Sequence, residues 1–318
     1  MAEYKAIRGL TIQTVAGDPS PLQIGDIWYS STTRKIRGAK LGAGAWATGG
    51  NMSTGRDALA GAGTQTAALV FGGRVPADSG VTESYDGSSW TEVADITARH
   101  NMGGLGTQTA AMAIGRAPTT AITEIYNGTS WTEVEDLNTG RSGARGAGTI
   151  TAGLAFGGAQ PGVRDETEVW NGTAWTEVAD LNESRGNAAG YGTSTAAHMV
   201  SGNAPPSTTV NTEIFDGTSW TEEANVNTAH YGLAGSGSTT AGMKFAGDTT
   251  PGKSGVTEEY DGTSWTEVAD LSTARGLLAG AMASPSATSL AMGGREPAKS
   301  VASEEWDKAV AASSFTSS

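Results

Sequence analysis

The stretch Tyr260-Asp-Gly-Thr-Ser-Trp-Thr-Glu-Val-Ala-Asp270 decides the fold, because it recurs along the chain with few changes. The other copies lie at 85–95, 126–136, 170–180 and 215–225. In each copy, two runs of strand-forming residues flank Asp-Gly or Asn-Gly, the strongest short-range signal for a β-hairpin. We therefore predict a hairpin at every copy, with Asp or Asn present because both residues tolerate a positive φ in the turn.

Each copy also carries two aromatic residues five positions apart. Across a hairpin with an even-length loop, this odd separation puts both rings on one face. An isolated hairpin is marginally stable in water, so a neighbouring copy is expected to cover the rings. The pairs are Tyr85 and Trp90, Tyr126 and Trp131, Trp170 and Trp175, Phe215 and Trp220, and Tyr260 and Trp265.

The tryptophans set the period of the repeat. They occupy positions 46, 90, 131, 175, 220 and 265, which gives steps of 44, 41, 44, 45 and 45 residues. A period in the low forties with four short strand signals is typical of β-propeller blades. The first strand of each copy is rich in Gly and Ala, as expected where inner strands converge on an axis.

The two ends of the repeat region complement each other. Residues 303–307 supply a third strand that no Trp-Thr-Glu strand follows, whereas Trp46 belongs to a fourth strand with no third strand before it. We predict an all-β fold, a six-bladed β-propeller over residues 41–310, in which the Trp46 strand completes the last blade. Such a closure removes open sheet edges.

The two terminal segments do not share the repeat. Residues 1–40 contain strand signals at 10–15, 24–29 and 34–37, so we predict a small β-hairpin element. It is too short to fold alone and is expected to dock on another surface. Residues 311–318 are predicted to be a C-terminal tail.

The composition excludes several classes of function. The formal net charge is −13, which disfavours nucleic acid and anionic membranes as partners. The chain has no cysteine, so disulfides, thiolate metal sites and cysteine nucleophiles are excluded. It begins without an apolar signal segment, and no run of about eighteen apolar residues predicts membrane insertion.

The repeat resembles the kelch repeat. The shared features are a Gly-Gly pair after a hydrophobic strand, an aromatic residue about 12 positions later, a following Trp, and an Arg before each inner strand. The resemblance covers residues 44–307 and implies a propeller. Departures from the Gly-Gly pairs occur at Arg116, Ser201 and Ala246.

The amino-acid sequence of the repeat is also similar to that of kelch-like propellers in structural proteins of tailed bacteriophages, notably marine ones. Gly25-Asp-Ile-Trp-Tyr-Ser-Ser-Thr-Thr-Arg34 resembles a short hairpin of phage tail-fibre proteins. The resemblance implies a non-enzymatic virion component, assembled in the host cytoplasm, of the tail or its fibres. It would be homo-oligomeric in the particle, attached to other virion proteins through residues 1–40, without a cofactor, and able to recognise a host-surface glycan. The alternative is a decorating protein of the capsid or tail without a receptor.

Two rings of charge have opposing interpretations. The interpretation we favour pairs a basic ring structurally with a ring of glutamates, because burial would otherwise make both charges costly. In the other interpretation, the basic ring lines a funnel that binds an anionic glycan, with two nearby tyrosines. The candidate site residues are Arg56, Arg99, Arg141, Arg185, His230, Arg275, Tyr191 and Tyr231; the glutamates are Glu83, Glu124, Glu168, Glu213, Glu258 and Glu304.

His230 replaces Arg in one copy. We interpret this as evidence that the fold tolerates the loss of one fixed charge at that position.

One face of the predicted propeller varies more than the other. Its loops differ in length and composition, whereas the opposite hairpins are nearly identical, and variable loops on a rigid scaffold are typical recognition surfaces. These loops span 74–80, 116–121, 159–166, 203–211, 248–256 and 295–300.

Catalysis has little support in the sequence. The three histidines occupy unrelated positions of the repeat, which predicts no metal site. A glycosidase needs a pair of carboxylates, and Asp165 and Glu166 are the only adjacent acids in a variable loop. A glycan-processing enzyme is therefore the weakest alternative.

Overall fold

The computed structural model describes residues 12–118, 120–159 and 162–315, which form two compact units. The larger unit spans residues 45–307, and the smaller unit contains the described residues 12–44 and 308–315. The described residues are all-β and contain no helix.

The larger unit is propeller-like and contains six four-stranded antiparallel sheets, which we number 1 to 6. In hydrogen-bonded order, sheet 1 contains Ala60–Thr64, Ala67–Phe71, Thr82–Tyr85 and Trp90–Val93. Sheet 2 contains Gly103–Thr107, Ala110–Arg116, Thr120–Tyr126 and Trp131–Glu133. Sheet 3 contains Arg145–Thr149, Ala152–Ala159, Val163–Trp170 and Trp175–Glu177. Sheets 4 and 5 contain Ala189–Thr193, Ala196–Val200, Thr212–Phe215 and Trp220–Glu222; and Ala234–Ser238, Ala241–Thr249, Gly252–Tyr260 and Trp265–Glu267. Sheet 6 contains Ala279–Gly280, Thr288–Met292, Ser303–Asp307 and Ala45–Thr48.

The strand around Trp46 pairs as predicted. Ala45–Thr48 lies antiparallel to Ser303–Asp307, with Trp46 opposite Trp306. Sheet 6 therefore takes three strands from the end of the repeat region and its fourth strand from the beginning.

The aromatic pairs lie on one face, as predicted. In the five internal copies the two rings are directly opposite in register, with centroids 4.8–5.3 Å apart. Trp306 and Trp46 form a sixth pair at 5.5 Å. A second-strand phenylalanine of the preceding sheet covers several of these pairs, as Phe245 covers Trp46 at 4.9 Å. The rings therefore join neighbouring sheets.

The hairpin turns use Asp and Asn differently from the prediction. The positive φ belongs to the glycine, 91° at Gly87, and not to the preceding Asp86. Asp86 Oδ1 instead accepts the N–H groups of Ser88 and Ser89 at 2.9 and 2.8 Å, and Asn127 accepts the equivalent pair. These hydrogen bonds lower the pKa of Asp86 to about 2. An acceptor oxygen, available in both residue types, explains the exchange of Asp and Asn.

The inner strands pack backbone against backbone. A Cβ added to Gly104 would lie 2.6 Å from the carbonyl oxygen of Gly61 in sheet 1, and one added to Gly146 would lie 2.5 Å from that of Gly104. No side chain fits at these distances. The Gly and Ala content of the first strands follows from this close approach, as predicted.

Six backbone hydrogen bonds link the sheets just before their inner strands. Each donor is a residue with φ between 52° and 61°. The donors and acceptors form one cycle of N–H to C=O bonds: Ala58 to Leu277, Leu277 to Gly232, Gly232 to Asn187, Asn187 to Gly143, Gly143 to Asn101, and Asn101 to Ala58.

The smaller unit is a separate four-stranded sheet. Its order is Gln13–Val15, Ile27–Ser30, Lys35–Leu41 and Val310–Ser314. The predicted hairpin between 24–29 and 34–37 is present, and the predicted strand at 10–15 is described only from residue 12. Residues 311–314 differ from the predicted tail, because they pair with Lys35–Leu41. The backbone N–H and C=O groups on the outer edge of Lys35–Leu41 are thereby paired.

Candidate functional site

The five arginines of the predicted site are buried in ion pairs. Each of these side chains is 0% exposed, and each contacts a glutamate on the third strand of its own sheet. The N–O distances are 2.8 Å for Arg56 and Glu83, 2.9 Å for Arg99 and Glu124, 2.8 Å for Arg141 and Glu168, 3.0 Å for Arg185 and Glu213, and 3.3 Å for Arg275 and Glu304. These guanidinium groups therefore do not line an open funnel.

The sixth pair is built differently. His230 occupies the arginine position of sheet 5, and Lys244 on the second strand pairs with Glu258 instead, at 2.7 Å. Lys244 Nζ also lies 2.9 Å from His230 Nδ1. Burial, followed by the charge of Lys244, lowers the pKa of His230 to about 4, so the neutral imidazole accepts a hydrogen bond from the ammonium group.

The interpretation that sheet 5 has lost a charge is therefore wrong. The cation has moved from the loop position to the second strand. The sequence carries a signal for this move, because the residues aligned with Lys244 are all apolar: Val70, Ala113, Ala155, Met199 and Ala291. The residue at the arginine position does not by itself show that the cation has moved.

The loops that connect neighbouring sheets form hydrogen bonds with the glutamates of the ion pairs. In the loop between sheets 2 and 3, Asp136 Oδ1 accepts the N–H of Thr123 from its own sheet at 3.1 Å. Two residues later, the N–H of Asn138 donates to Glu168 of the next sheet at 2.8 Å. The equivalent contacts recur in other sheets. The glutamates thus hold the loop and the cation together, which is a structural role.

The two candidate tyrosines lie in different environments. Tyr191, on the inner strand of sheet 4, is fully buried, and its hydroxyl lies 3.0 Å from His198 Nδ1. Burial lowers the pKa of His198 to about 3. Tyr231 is partly exposed and pairs through its backbone with Asp248. The structure therefore does not bring the tyrosines and the arginines together at one open surface.

Two acidic residues that we did not single out organise part of the variable face. Asp57 is buried, and it contacts Arg74 of sheet 1 at 3.3 Å and Lys299 of sheet 6 at 3.6 Å. Asp248 is also buried, and it contacts Lys253 of sheet 5 and, at 4.0 Å, Arg295 of sheet 6.

The four cations extend around sheets 5, 6 and 1, and we call them the cationic arc. Their side chains are 25–37% exposed, in contrast to the two carboxylates beneath them. Burial, followed by the charge of Arg295, lowers the pKa of Lys253. Each of the two buried carboxylates thus contacts two partly exposed cations.

The loops of the variable face also differ in structure. Sheets 3 and 5 extend their second and third strands into the face, as Ala152–Ala159 and Ala241–Thr249 show. Sheets 4 and 6 instead carry small separate hairpins, Asn203–Ala204 with Ser207–Thr208 and Arg295–Glu296 with Ala298–Lys299. Residues 119, 160 and 161 of the predicted loops lie outside the described part of the chain.

No family model matches the chain, and no curated protein matches it either. Among the described residues, no group of His, Asp and Glu side chains is arranged to hold a metal ion. Nor does the described part of the chain contain a helix long and apolar enough to cross a membrane.

Proposed function

We propose that the protein is a non-enzymatic structural component of a phage virion, of the tail or its fibres, that recognises an anionic host-surface glycan. Its larger unit would be a six-bladed kelch-like propeller closed by the Trp46 strand. The closed cycle of six backbone hydrogen bonds supports this architecture. Further support comes from the hydrogen bond between Trp46 Nε1 and Thr257 of sheet 5, at 3.0 Å, which repeats the bond between Trp220 and Thr167.

The cationic arc is the observation that carries glycan recognition. Its side chains are partly exposed, lie on the variable face, and are held by buried carboxylates, which limits the conformational freedom lost on binding. Charge-assisted hydrogen bonds to carboxylate or sulfate groups are the contacts that Arg and Lys make best. This placement replaces the buried arginine ring as the proposed glycan contact.

The arc makes the proposal testable with purified protein. Replacing Arg295 and Lys299 with Gln, which leaves Asp248 paired with Lys253 and Asp57 paired with Arg74, should weaken binding to a panel of sulfated and sialylated glycans by about tenfold. Binding by the wild-type protein should weaken as salt is added, because the contacts are exposed. Arg164→Gln is the matched control, since Arg164 is a partly exposed cation of the same face that pairs with Glu166 in sheet 3. Equal binding by the wild-type protein and the double variant would refute glycan recognition through the arc.

The smaller unit is proposed to attach the propeller to other virion proteins. One face of its sheet exposes Ile27, Ile36 and Phe315, which are 44%, 44% and 58% exposed. Since Val310–Ser314 belongs to the same sheet, removing residues 1–43 and 308–318 together is the appropriate truncation. The truncated chain should fail to enter particles while keeping the circular-dichroism spectrum and cooperative melting of a folded β protein. Incorporation at the wild-type level would refute the attachment role.

The alternative of a decorating protein without a receptor predicts a different result. Such a protein would enter particles through the smaller unit and bind no glycan in the panel. The two experiments together therefore separate recognition from decoration.

A further inference from the structure

The axis of the larger unit contains a cavity that all six sheets line. It has a volume of about 40 Å³ and is surrounded by small and apolar residues of the inner strands, among them Leu59, Met102, Leu233 and Leu278. Arg145 is the one ionisable residue in this lining. A void of this size holds more than one water molecule.

Arg145 departs from the repeat. It begins the inner strand of sheet 3, where the aligned residues are Ala60, Gly103, Ala189, Ala234 and Ala279. Its side chain crosses toward sheet 4, where Nε donates to the carbonyl oxygen of Ala188, and Nη1 donates to that of Ala144 at 2.9 Å. A Cβ added to Gly190 of sheet 4 would lie 2.5 Å from Arg145 Cβ, so the two inner strands approach closely at this point.

The charge of Arg145 is not balanced by a described carboxylate. Burial alone lowers its pKa to about 10, whereas the shifts of Arg56, Arg99, Arg141 and Arg275 are each opposed by a glutamate. Arg145 nevertheless remains a cation at pH 7. The Arg145 side chain is partly exposed, but the other residues that line the cavity are apolar or glycine, so its unpaired charge favours an accompanying counter-ion. Two carbonyl oxygens satisfy part of its hydrogen-bonding capacity but neutralise no charge.

We propose that the axial cavity binds a small monovalent anion, of the size of chloride, paired with Arg145. The small volume and apolar walls of the cavity favour a monatomic or similarly compact anion over a sugar or a phosphate ester. A wider opening of about 470 Å³ lies beside the cavity, and its lining includes Thr107, Thr149, Thr193 and Ser238 among mostly apolar surface. Met282 lines both spaces.

Anion-dependent stability tests the site. The thermal midpoint of the wild-type protein should rise by about 2–4 °C, and saturate, as sodium chloride replaces sodium gluconate at constant ionic strength. Gluconate is too large for the cavity and controls for general salt effects. Arg145→Ala, which restores the residue of four other sheets, should show no such rise. Arg145→Met, which keeps the stem without the charge, should behave in the same way.

A direct observation complements the melts. Crystals grown in sodium bromide should show an anomalous peak within about 3.5 Å of the Arg145 guanidinium group. The proposal fails if the variants keep the chloride response of the wild-type protein. It also fails if crystals of the folded wild-type protein show no bromide in the cavity. Neither result depends on glycan binding at the cationic arc.

Discussion

Replacing Lys244 with Met should lower the free energy of unfolding by about 3–5 kcal/mol, because Glu258 would remain as a buried carboxylate without its cation. Both side chains are 0% exposed, so water does not replace the lost partner. The neighbouring imidazole is a poor substitute, since burial lowers the pKa of His230 to about 4 and leaves it neutral at pH 7. Urea unfolding of the two proteins at pH 7 measures the difference.

A second substitution should reverse most of this loss. His230→Arg together with Lys244→Met would recreate the arrangement of the other five sheets, in which a loop arginine meets the glutamate and an apolar residue occupies the second strand. We expect the double variant to recover stability to within about 1 kcal/mol of the wild-type protein. Arg164→Met is the matched control, because Arg164 and its partner Glu166 are both partly exposed and the loss of this cation should cost at most about 1 kcal/mol.

Two outcomes would contradict the structural role of the sixth pair. One is a Lys244→Met variant as stable as the wild-type protein. The other is a double variant no more stable than the single one, which would mean that the positions do not exchange their charge.

The repeat unit made much of this fold predictable. The five-residue spacing of Tyr85 and Trp90 fixes their register, and register decides which side chains share a face. The same logic located the partner of Trp46 at the far end of the chain, because every other copy has a complete third and fourth strand. The favoured pairing of arginines with glutamates also followed from the repeat, since two opposite charges recur at fixed positions of each copy.

Features outside the repeat pattern were harder to predict. Lys244 and Arg145 are single departures, and their meaning depends on what lies across the sheet or the axis from them. The strand Val310–Ser314 is rich in Ala and Ser and carries no alternating pattern, so its pairing is set by the edge it meets. Asp57 and Asp248 follow no common position, and their role emerges only from the cations that reach them.

Trp46→Ala should cost about 3 kcal/mol, at the lower end of the range for a core tryptophan because the ring is partly exposed. The variant loses the packing on Trp306 and Phe245 and the hydrogen bond from Nε1 to Thr257. These contacts hold the first strand of the larger unit in its last sheet, at a sequence separation of 260 positions between Trp46 and Trp306 (306 − 46). Differential scanning calorimetry should show a single transition shifted to lower temperature.

Trp220 provides the matched comparison for this prediction. It occupies the same position within sheet 4, packs on Phe215 and Phe156, and donates to Thr167 at the same 3.0 Å. Since sheet 4 is formed by one continuous segment, Trp220→Ala measures the cost of the ring where no closure is involved. We expect Trp220→Ala to lower the free energy of unfolding by about 3–5 kcal/mol, and Trp46→Ala to lower it by nearly as much. A strand that closes the ring makes the same packing contacts as an internal strand. If Trp220→Ala is strongly destabilising while Trp46→Ala leaves the melting temperature of the wild-type protein unchanged, the Trp46 strand does not close a propeller.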